Sequence, residues 1–287
     1  MPTHPIGPTW RAWLTAADRL DQLAADTINS YRRHLTSLAT HVGHQLPTRD
    51  LTAAHVESWL DTMADLQAST RRTRLAAVRS FLDWTTDRDI TAENVARRVR
   101  PPRVRRRPPP RARPDDLARV LALANPRDRV LLVLALQTAI RRGELAGLRV
   151  EDWDPAGQRL YIAAAKGSTE RWVAVPAEAR RELAIYVAHL GVTTGPMWPS
   201  SHRPGHGLAR GTISHLVAQA GRRAGVRLWT HLLRHTALSD AAAGGATSHQ
   251  LQRQSGHRYS STLDGYVHLK LDDVAPAWEG RSYRAAG

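Results

Sequence analysis

Six residues with basic or nucleophilic side chains follow one another in a suggestive order. They are Arg141 in TAIRRGEL, Lys166 in AAAKGSTER, His231 and Arg234 in THLLRHT, His257 in QSGH, and Tyr266 in LDGYVH. Arginine, lysine and histidine suit a phosphate that gains charge during a reaction, and tyrosine can act as a nucleophile. A protein that only binds DNA needs positive charge but not this order, so the pattern favours an enzyme.

Metal-free phosphoryl transfer needs a nucleophile, neutralisation of the non-bridging oxygens, and a proton for the leaving oxygen. Arg141 and Arg234 suit the second task because a guanidinium presents paired donors. Of the 41 basic residues, the only lysines are Lys166 and Lys270. An ammonium group can release a proton and a guanidinium cannot, so Lys166 is a candidate proton donor, whereas Lys270 is equally consistent with a surface residue.

The HLLRH motif places two candidate residues on one predicted helix. His231 and Arg234 are three residues apart, so their side chains project side by side. A single histidine is most simply a hydrogen-bonded polar residue. His257, however, lies nine residues before Tyr266 in a second basic segment, which favours a shared site.

The composition points to a polyanionic partner. The chain has 287 residues and a formal charge of +15, with a pI near 11.3. Nucleic acid is the simplest such partner, and a generically basic surface is the alternative.

Without cysteine there is no disulfide, thiolate nucleophile or Cys-ligated metal. The N-terminus lacks a signal-peptide pattern and the longest apolar stretch, Val130–Leu136, is too short to span a bilayer, so we expect a soluble cytoplasmic protein with no membrane partner.

Residues 9–95 are predicted to form a helical DNA-binding domain. The segments DTINSYRRHLTSLATHV, TAAHVESWLDTMADL and STRRTRLAAVRSFLDWTTD carry apolar residues at helical spacing, with Asp or Thr as caps. The third segment also carries four arginines that are candidates for DNA contact: Arg71, Arg72, Arg74 and Arg79. The alternative is a solvated arginine face on a core helix.

Residues 96–113 read as an extended linker rich in arginine and proline. Four of its arginines are candidates for tracking phosphates, with a solvated spacer as the alternative: Arg103, Arg105, Arg106 and Arg107.

Residues 114–287 are predicted to form a mixed α/β catalytic domain with a C-terminal tail. Helices lead to a turn near Ala139, after which Arg141 and Glu144 share a helical face. Two short strands follow, joined by a KGST turn with Lys166 at the end of the first. The chain has no P-loop, GxGxxG or carboxylate cluster, so we expect neither a cofactor nor a metal.

Taken together, these motifs resemble the tyrosine recombinases, also called phage integrases. The family pattern is Arg-x-x-Glu-Leu, a β-hairpin lysine, His-x-Leu-Arg-His, Gly-His, and a tyrosine nine residues further on. Here it appears in order, from Arg141 to Tyr266, and the N-terminal helices look like the family's core-binding domain. The resemblance covers most of residues 10–270 and implies a mainly α fold with a small β-hairpin or sheet: a helical SAM-like core-binding domain plus a mixed α/β catalytic domain.

The resemblance also implies a role for each residue. Tyr266 would attack the scissile phosphate to form a 3′-phosphotyrosyl bond and free a 5′-hydroxyl. Arg141 and Arg234 would clamp the phosphate, while His231 and His257 would hydrogen-bond it. Lys166 would protonate the leaving oxygen, and Glu144 would brace the site. Rejoining would need neither ATP nor Mg²⁺.

Two positions depart from the family pattern. Ala139 replaces a glycine in the turn before Arg141, where glycine relieves backbone strain. QSGH replaces an apolar LGH, which puts Gln254 and Ser255 where packing residues are expected. Both substitutions bear on site geometry, but neither removes a catalytic group.

The function implied is site-specific recombination of double-stranded DNA through a Holliday junction by a homotetramer on paired sites, with or without a second recombinase. The few residues before the first predicted helix suggest the compact, Xer-like type. Trp278 in the tail is a candidate anchor on a neighbouring protomer, although packing on its own domain is as consistent.

Two alternative functions remain: a catalytically silent DNA-binding regulator, and a DNA-relaxing enzyme of the type IB topoisomerase kind. The sequence leaves open the target site and the choice between integration, excision and resolution.

Overall fold

The structure is a computed structural model that describes residues 3–104, 109–164 and 169–257. The chain divides into two compact units, Met1–Arg106 (unit 1) and Arg107–Gly287 (unit 2). Unit 1 is helical, and unit 2 combines helices with a small antiparallel sheet. The predicted fold class, mainly α with a small sheet, is confirmed.

Unit 1 contains four α helices, with short 3₁₀ turns at Thr48–Asp50 and Val95–Arg97, among the residues described. The helices are α1 (Ile6–Arg19), α2 (Ala25–Val42), α3 (Ala53–Asp61) and α4 (Ala68–Thr86). The first begins three residues before the predicted start of the domain at residue 9. Pro8 lies in its first turn, where backbone N–H groups have no intrahelical partner, so proline is tolerated there.

The helices predicted from apolar spacing are present, and one is shorter than its pattern suggested. The N-cap of α3 is Thr52, whose hydroxyl accepts a hydrogen bond from the amide of His55 at 3.2 Å. The predicted segment continued to Leu66, but α3 ends at Asp61. Beyond it, amides bond to carbonyls three residues back, as in the 3.0 Å bond from Leu66 to Met63, so the chain tightens into turns.

The core of unit 1 is rich in large aromatic and aliphatic side chains. Trp59, Phe81 and Leu35 are almost completely buried. The start of the predicted linker packs into the same core, because Ala96 and Val99 are also buried.

Unit 2 contains seven α helices and three strands among its described residues. The helices are α5 (Pro114–Ala122), α6 (Pro126–Thr138), α7 (Arg142–Gly147), α8 (Ala177–Leu190), α9 (Arg210–Arg223), α10 (Thr230–Ala243) and α11 (Ser248–Ser255). The strands are β1 (Trp153–Asp154), β2 (Arg159–Ile162) and β3 (Arg171–Ala174). A 3₁₀ turn at Val150–Asp152 leads into β1.

The sheet has the order β1-β2-β3, and both pairings are antiparallel. In its register Leu160 of β2 lies opposite Val173 of β3, and both side chains are buried. The two predicted strands are therefore present on either side of residues 165–168, which lie outside the described residues. The two-residue strand β1 carried too short a pattern to be predicted.

The apolar run of α6 forms the centre of the unit 2 core. Leu131, Leu132 and Leu134 are almost fully buried, and α6 packs against α8 and α10. The C-terminal end of α6 thus lies beside the helix that carries Arg234. In the described parts of the chain, no helix combines the length and apolar character needed to cross a membrane.

Candidate active site

Arg234 is anchored inside unit 2 by three hydrogen-bond acceptors. Arg234 is only 3% exposed to solvent. Nη1 donates to the Ala139 carbonyl, while Nη2 lies 2.9 Å from the Ser255 carbonyl and 3.1 Å from Nε2 of His257. Since a guanidinium only donates, Nε2 of His257 must accept. The guanidinium is therefore fixed between the end of α6 and the end of α11.

Arg141 converges on the same place from the start of α7. Its backbone amide donates to Glu144 Oε2 at 2.7 Å and its Nη1 to Oε1 at 3.0 Å. Its Nη2 donates to the Gly256 carbonyl at 2.5 Å. Arg141 and Arg234 thus bind adjacent carbonyls, those of Gly256 and Ser255, directly before His257. Arg141 is the N-cap of α7, so the helix itself begins at the next residue, Arg142.

His231 lies one turn before Arg234 on α10, and its ring is partly shielded from solvent. Its ring centroid is 4.6 Å from that of His235, in an edge-to-face arrangement. The positive charges of Arg234 and Arg141 act on both His231 and His257. The structure therefore brings together four of the six residues singled out in the sequence: Arg141, His231, Arg234 and His257.

Lys166 and Tyr266 fall outside the described residues, as do three of the four linker arginines: Arg105, Arg106 and Arg107. Trp278 in the C-terminal tail also lies there. Their roles remain predictions from the sequence.

The proposed DNA-contacting arginines of unit 1 differ in their surroundings. Arg72 and Arg103 are exposed, and Arg71 and Arg74 are half-buried. Arg79 instead donates to the carbonyls of Ala96 at 3.0 Å and Val99 at 2.7 Å. These bonds tie α4 to the segment after it, so we propose a structural role for Arg79 in place of a DNA contact.

Arg171, at the start of β3, is a site residue that the sequence interpretation missed. Its Nη1 and Nη2 each lie 2.9 Å from a different carboxylate oxygen of Glu144, and its Nε donates to the Gln254 carbonyl at 3.2 Å. It thus connects the strand that follows residues 165–168 to α7 and α11. A usable signal was present in the sequence. Arg171 lies two residues before the buried Val173, on the same face of the strand, and a charged residue on a buried face implies a buried partner.

Glu144 is the shared partner of two arginines, with its side chain 3% exposed. Burial alone would raise the pKa of this carboxyl. The hydrogen bonds from Arg171 and the Arg141 amide, with the charges of both arginines, outweigh burial and lower the pKa to about 2. Glu144 is therefore a fixed negative charge that holds the two guanidinium groups.

Gly256 makes the close approach of Arg171 possible. It ends α11 in the left-handed conformation, with φ of 67°. A Cβ atom at this position would lie 2.8 Å from the guanidinium carbon of Arg171. Both the backbone conformation and the lack of space therefore require glycine immediately before His257.

Ala139 adopts the conformation for which the family pattern has glycine. Its φ is 55° and ψ is 23°, and its carbonyl accepts from Arg234. The left-handed backbone costs an alanine about 1–2 kcal/mol. Its buried methyl group, packed with Leu238 and Leu251, stabilises the folded state by about 0.8 kcal/mol. The turn thus keeps the geometry of a glycine turn with only a small net loss of folding stability.

We expect Ala139→Gly to change the free energy of unfolding of unit 2 by less than about 1 kcal/mol. Glycine relieves the backbone strain, but the buried methyl group is lost and the unfolded chain gains conformational freedom, so the effects largely cancel. Hydrogen exchange of the amides in β2 and β3 would measure this change in unit 2. A loss of several kcal/mol would show that the methyl group, and not the backbone, determines the turn.

Three histidines at the site share a lowered pKa. Burial is the main cause for His257 and His235, followed by the charge of Arg234 for His257 and that of His231 for His235, and both fall to about 4. Burial and then the charges of Arg234 and Arg141 also lower the pKa of His231. In the DNA-free protein near neutral pH, these rings are therefore uncharged.

We expect unit 2 to lose stability as the pH falls from about 6.5 towards 4. In that window the unfolded chain takes up protons on these histidines while the folded protein does not, so acid favours unfolding. Thermal unfolding at a series of pH values would measure the effect, and His257→Asn should have a shallower pH dependence. Equal slopes for the two proteins would contradict the assignment.

Among the described residues, no group of three or more His, Asp or Glu side chains is arranged to hold a metal ion. The chemistry that the described part of the site can perform is anion recognition by two guanidinium groups, with proton exchange at adjacent imidazoles.

Comparison with protein families gives two matches that together cover most of the chain. Residues 110–272 match "Phage integrase family", and residues 13–89 match "Phage integrase, N-terminal SAM-like domain". Among curated proteins, Tyrosine recombinase XerC of Yersinia pestis is 28% identical, covering 98% of this chain and 96% of its own length. Tyrosine recombinase XerC of Mycobacterium tuberculosis (strain ATCC 25177 / H37Ra) is 29% identical, covering 90% and 93%.

Solved structures show the same fold at lower identity. A lambda integrase tetramer bound to a Holliday junction has a TM-score of 0.74 at 15% identity, with 94% of this chain and 80% of that chain covered. A lambda integrase fragment, a dimer bound to a COC' core site, has a TM-score of 0.71 at 16% identity, with 96% and 98% covered. The Tn1549 transposon integrase in complex with transposon right end DNA has a TM-score of 0.73 at 14% identity, with 96% and 98% covered.

Proposed function

The chain belongs to the phage integrase family and is a site-specific tyrosine recombinase of the compact Xer-like type, and we propose that it cuts and rejoins DNA strands through a phosphotyrosyl intermediate on Tyr266. The observation that carries this proposal is the convergence of Arg141, Arg234 and His257 at the end of α11. Two guanidinium groups held this close together are suited to a backbone phosphate.

Arg141 and Arg234 neutralise the non-bridging oxygens of the scissile phosphate. Their guanidinium groups are already oriented by the carbonyls of Gly256 and Ser255, so little reorganisation accompanies the reaction. Glu144 keeps Arg141 in place through its ion pair. Electrostatic stabilisation of this preorganised kind is commonly the largest contribution to catalysis of such reactions.

The bond changes follow from the residue types. The Tyr266 oxygen forms a bond to phosphorus as the bond to the 5′ oxygen breaks, and the phosphate stays on the 3′ end. His231 accepts the tyrosine proton, and Lys166 gives its proton to the leaving 5′ oxygen. The reverse reaction, with another strand's 5′-hydroxyl as nucleophile, rejoins the DNA without ATP because the bond energy is kept in the phosphotyrosyl link.

The assembly we propose is a homotetramer on two double-stranded DNA sites that exchanges strands through a Holliday junction, with or without a second recombinase. Support comes from the lambda integrase tetramer on a Holliday junction, whose fold this chain shares. The strong positive charge of +15 suits contact with DNA phosphates, and we propose that the exposed Arg72 and Arg103 contribute to it. We place this activity in the cytoplasm.

Covalent trapping tests the function. The protein is mixed in EDTA with nicked suicide duplexes drawn from its genomic neighbourhood and run on a denaturing gel beside Tyr266→Phe. We expect a covalent protein–DNA band that is lost in the variant and that depends on one sequence. Specific binding with no band on any duplex would favour a DNA-binding regulator, and bands on every duplex would favour a relaxing enzyme.

A further inference from the structure

Ser255, the last residue of α11, lies between the backbone of its own helix and the ring of His257. It is fully buried. Its Oγ lies 2.6 Å from the Leu251 carbonyl and 2.8 Å from Nδ1 of His257. An apolar side chain, as in the family pattern, would leave Nδ1 without this partner. The substitution of serine therefore adds a polar contact directly behind a ring of the candidate active site.

The positions of the hydrogen atoms in this contact follow from the partners. The Leu251 carbonyl can only accept, so the single hydroxyl hydrogen of Ser255 is used there. Towards His257 the hydroxyl oxygen must therefore accept, which places a hydrogen on Nδ1. On the other side of the ring, Nε2 accepts from Nη2 of Arg234 at 3.1 Å. The two contacts require the same tautomer.

We propose that Ser255 is a positioning residue that holds His257 in the Nδ1–H tautomer, so that the lone pair of Nε2 accepts from Arg234 at the proposed phosphate-binding residues. The proposal rests on the proposed function, because it assigns a role to Ser255 within that site. Ser255 itself does not touch the substrate; it acts through the ring of His257.

Neighbouring contacts hold Ser255 in position. The side chain of Gln254 accepts from the Ala174 amide at 3.1 Å and donates to the Ala174 carbonyl at 2.8 Å, so it pairs with the backbone of β3. The Ser255 carbonyl accepts from Arg234 at 2.9 Å, and Arg171 packs against Gly256. Both unusual residues of QSGH are therefore used to fix the segment that carries His257.

This tautomer has a consequence for phosphate binding. With Nδ1–H committed to Ser255, His257 can donate to a phosphate oxygen only after Nε2 has released its hydrogen bond from Arg234 and gained a proton. Burial of the ring and the charges of Arg234 and Arg141 act against that proton in the free protein. The negative charge of a bound phosphate favours it, so DNA binding shifts the equilibrium of His257 towards the protonated form.

Nitrogen-15 NMR of histidine-labelled Tyr266→Phe protein, full length and free of DNA, tests the tautomer directly. Two-bond nitrogen–proton correlations distinguish the protonated nitrogen from the unprotonated one, and His257→Asn in the same background identifies the signals. We expect Nδ1 protonated and Nε2 unprotonated at pH 7.5. Ser255→Ala should lose this preference, and Ser255→Thr, which retains the hydroxyl, should keep it.

Single-turnover cleavage tests the role. On a duplex that the unmodified protein cleaves, Ser255→Ala should form the covalent adduct about 10- to 100-fold more slowly, as when other hydrogen-bond partners that orient an imidazole are removed. Thr9→Val is the matched control, because Thr9 is buried in unit 1 and its hydroxyl also donates to a carbonyl four residues back, at 2.6 Å. Its rate should stay within about twofold.

An Nε2–H tautomer in the unmodified protein would overturn the proposal, and so would an unchanged tautomer in Ser255→Ala. Equal loss of the cleavage rate in Ser255→Ala and Thr9→Val would show that Ser255 has only a structural role. The tautomer is read without cleavage, so absence of any adduct would count against the proposed function and not against this assignment.

Discussion

Glu144→Gln is expected to destabilise unit 2 by about 3–5 kcal/mol, the range for breaking one partner of a buried ion pair. The carboxylate accepts four hydrogen bonds, two from Arg141 and two from Arg171. An amide replaces one accepting oxygen by a donor that faces other donors, and it leaves two guanidinium groups without a counter-charge. Hydrogen exchange of the amides in β2 and β3 reports the change in unit 2 alone.

Glu182→Gln is the matched control for this prediction. Within the described part of the chain, Glu182 forms one ion pair, to Arg129 at 2.8 Å, and its side chain is 25% exposed. We expect a cost of about 1 kcal/mol or less, as for partly solvated pairs. Equal costs for the two variants would contradict the special position of Glu144.

The pH dependence gives Glu144→Gln a second signature. The pKa of Glu144 is about 2 in the folded protein against 4.5 for an ordinary glutamate, so its stabilising contribution is complete above pH 4.5 and is lost as the pH falls towards 2. The variant has no carboxylate at this position and should lack that part of the acid sensitivity.

Arg234→Lys is expected to slow covalent adduct formation by about 10²–10³-fold, the effect of losing one preorganised donor to a developing charge. Lysine keeps the positive charge but cannot reach the Ala139 and Ser255 carbonyls and His257 together, because it lacks the planar fork. DNA affinity should change little, since the charge is retained and Arg234 is only 3% exposed.

Single-turnover cleavage and gel-shift binding, measured on the same duplex, separate these two effects. Arg222→Lys, at an exposed position in the last turn of α9, is the matched control and should cleave at the normal rate. A parallel loss of binding and cleavage in Arg234→Lys would contradict a role specific to the reacting phosphate.

Local patterns predicted much of the fold. Apolar spacing was sufficient for α2 and α4, because their buried faces repeat with the period of a helix, whereas the buried residues of α6 are consecutive from Val130 to Ala135. The order of Arg141, Arg234 and His257 was enough to predict a shared site, although their contacts span as many as 115 residues of sequence. The strand β1 has only two residues and therefore no period to detect.

The supporting contacts of the site were less accessible, since they depend on which distant atoms meet. Arg171 pairs with Glu144 across 27 residues, and no local spacing links the two. The serine of QSGH stood out as a departure, but its bond to Nδ1 of His257 depends on how α11 ends. Arg79 shows the opposite difficulty: it belongs to an arginine-rich helix typical of DNA contact, yet its guanidinium bonds to backbone carbonyls of its own unit.

Mapping the covalent link tests the central claim most directly. Adduct formed in EDTA is digested with nuclease and trypsin, and the modified peptide is sequenced by mass spectrometry. Cleavage after Arg258 and Lys270 yields a peptide that contains both Tyr259 and Tyr266, so fragment ions must distinguish the two. We predict a 3′-phosphonucleotide on Tyr266. A nucleotide on Tyr259 or on any other residue, or adduct that forms only when a metal ion is supplied, would contradict the account.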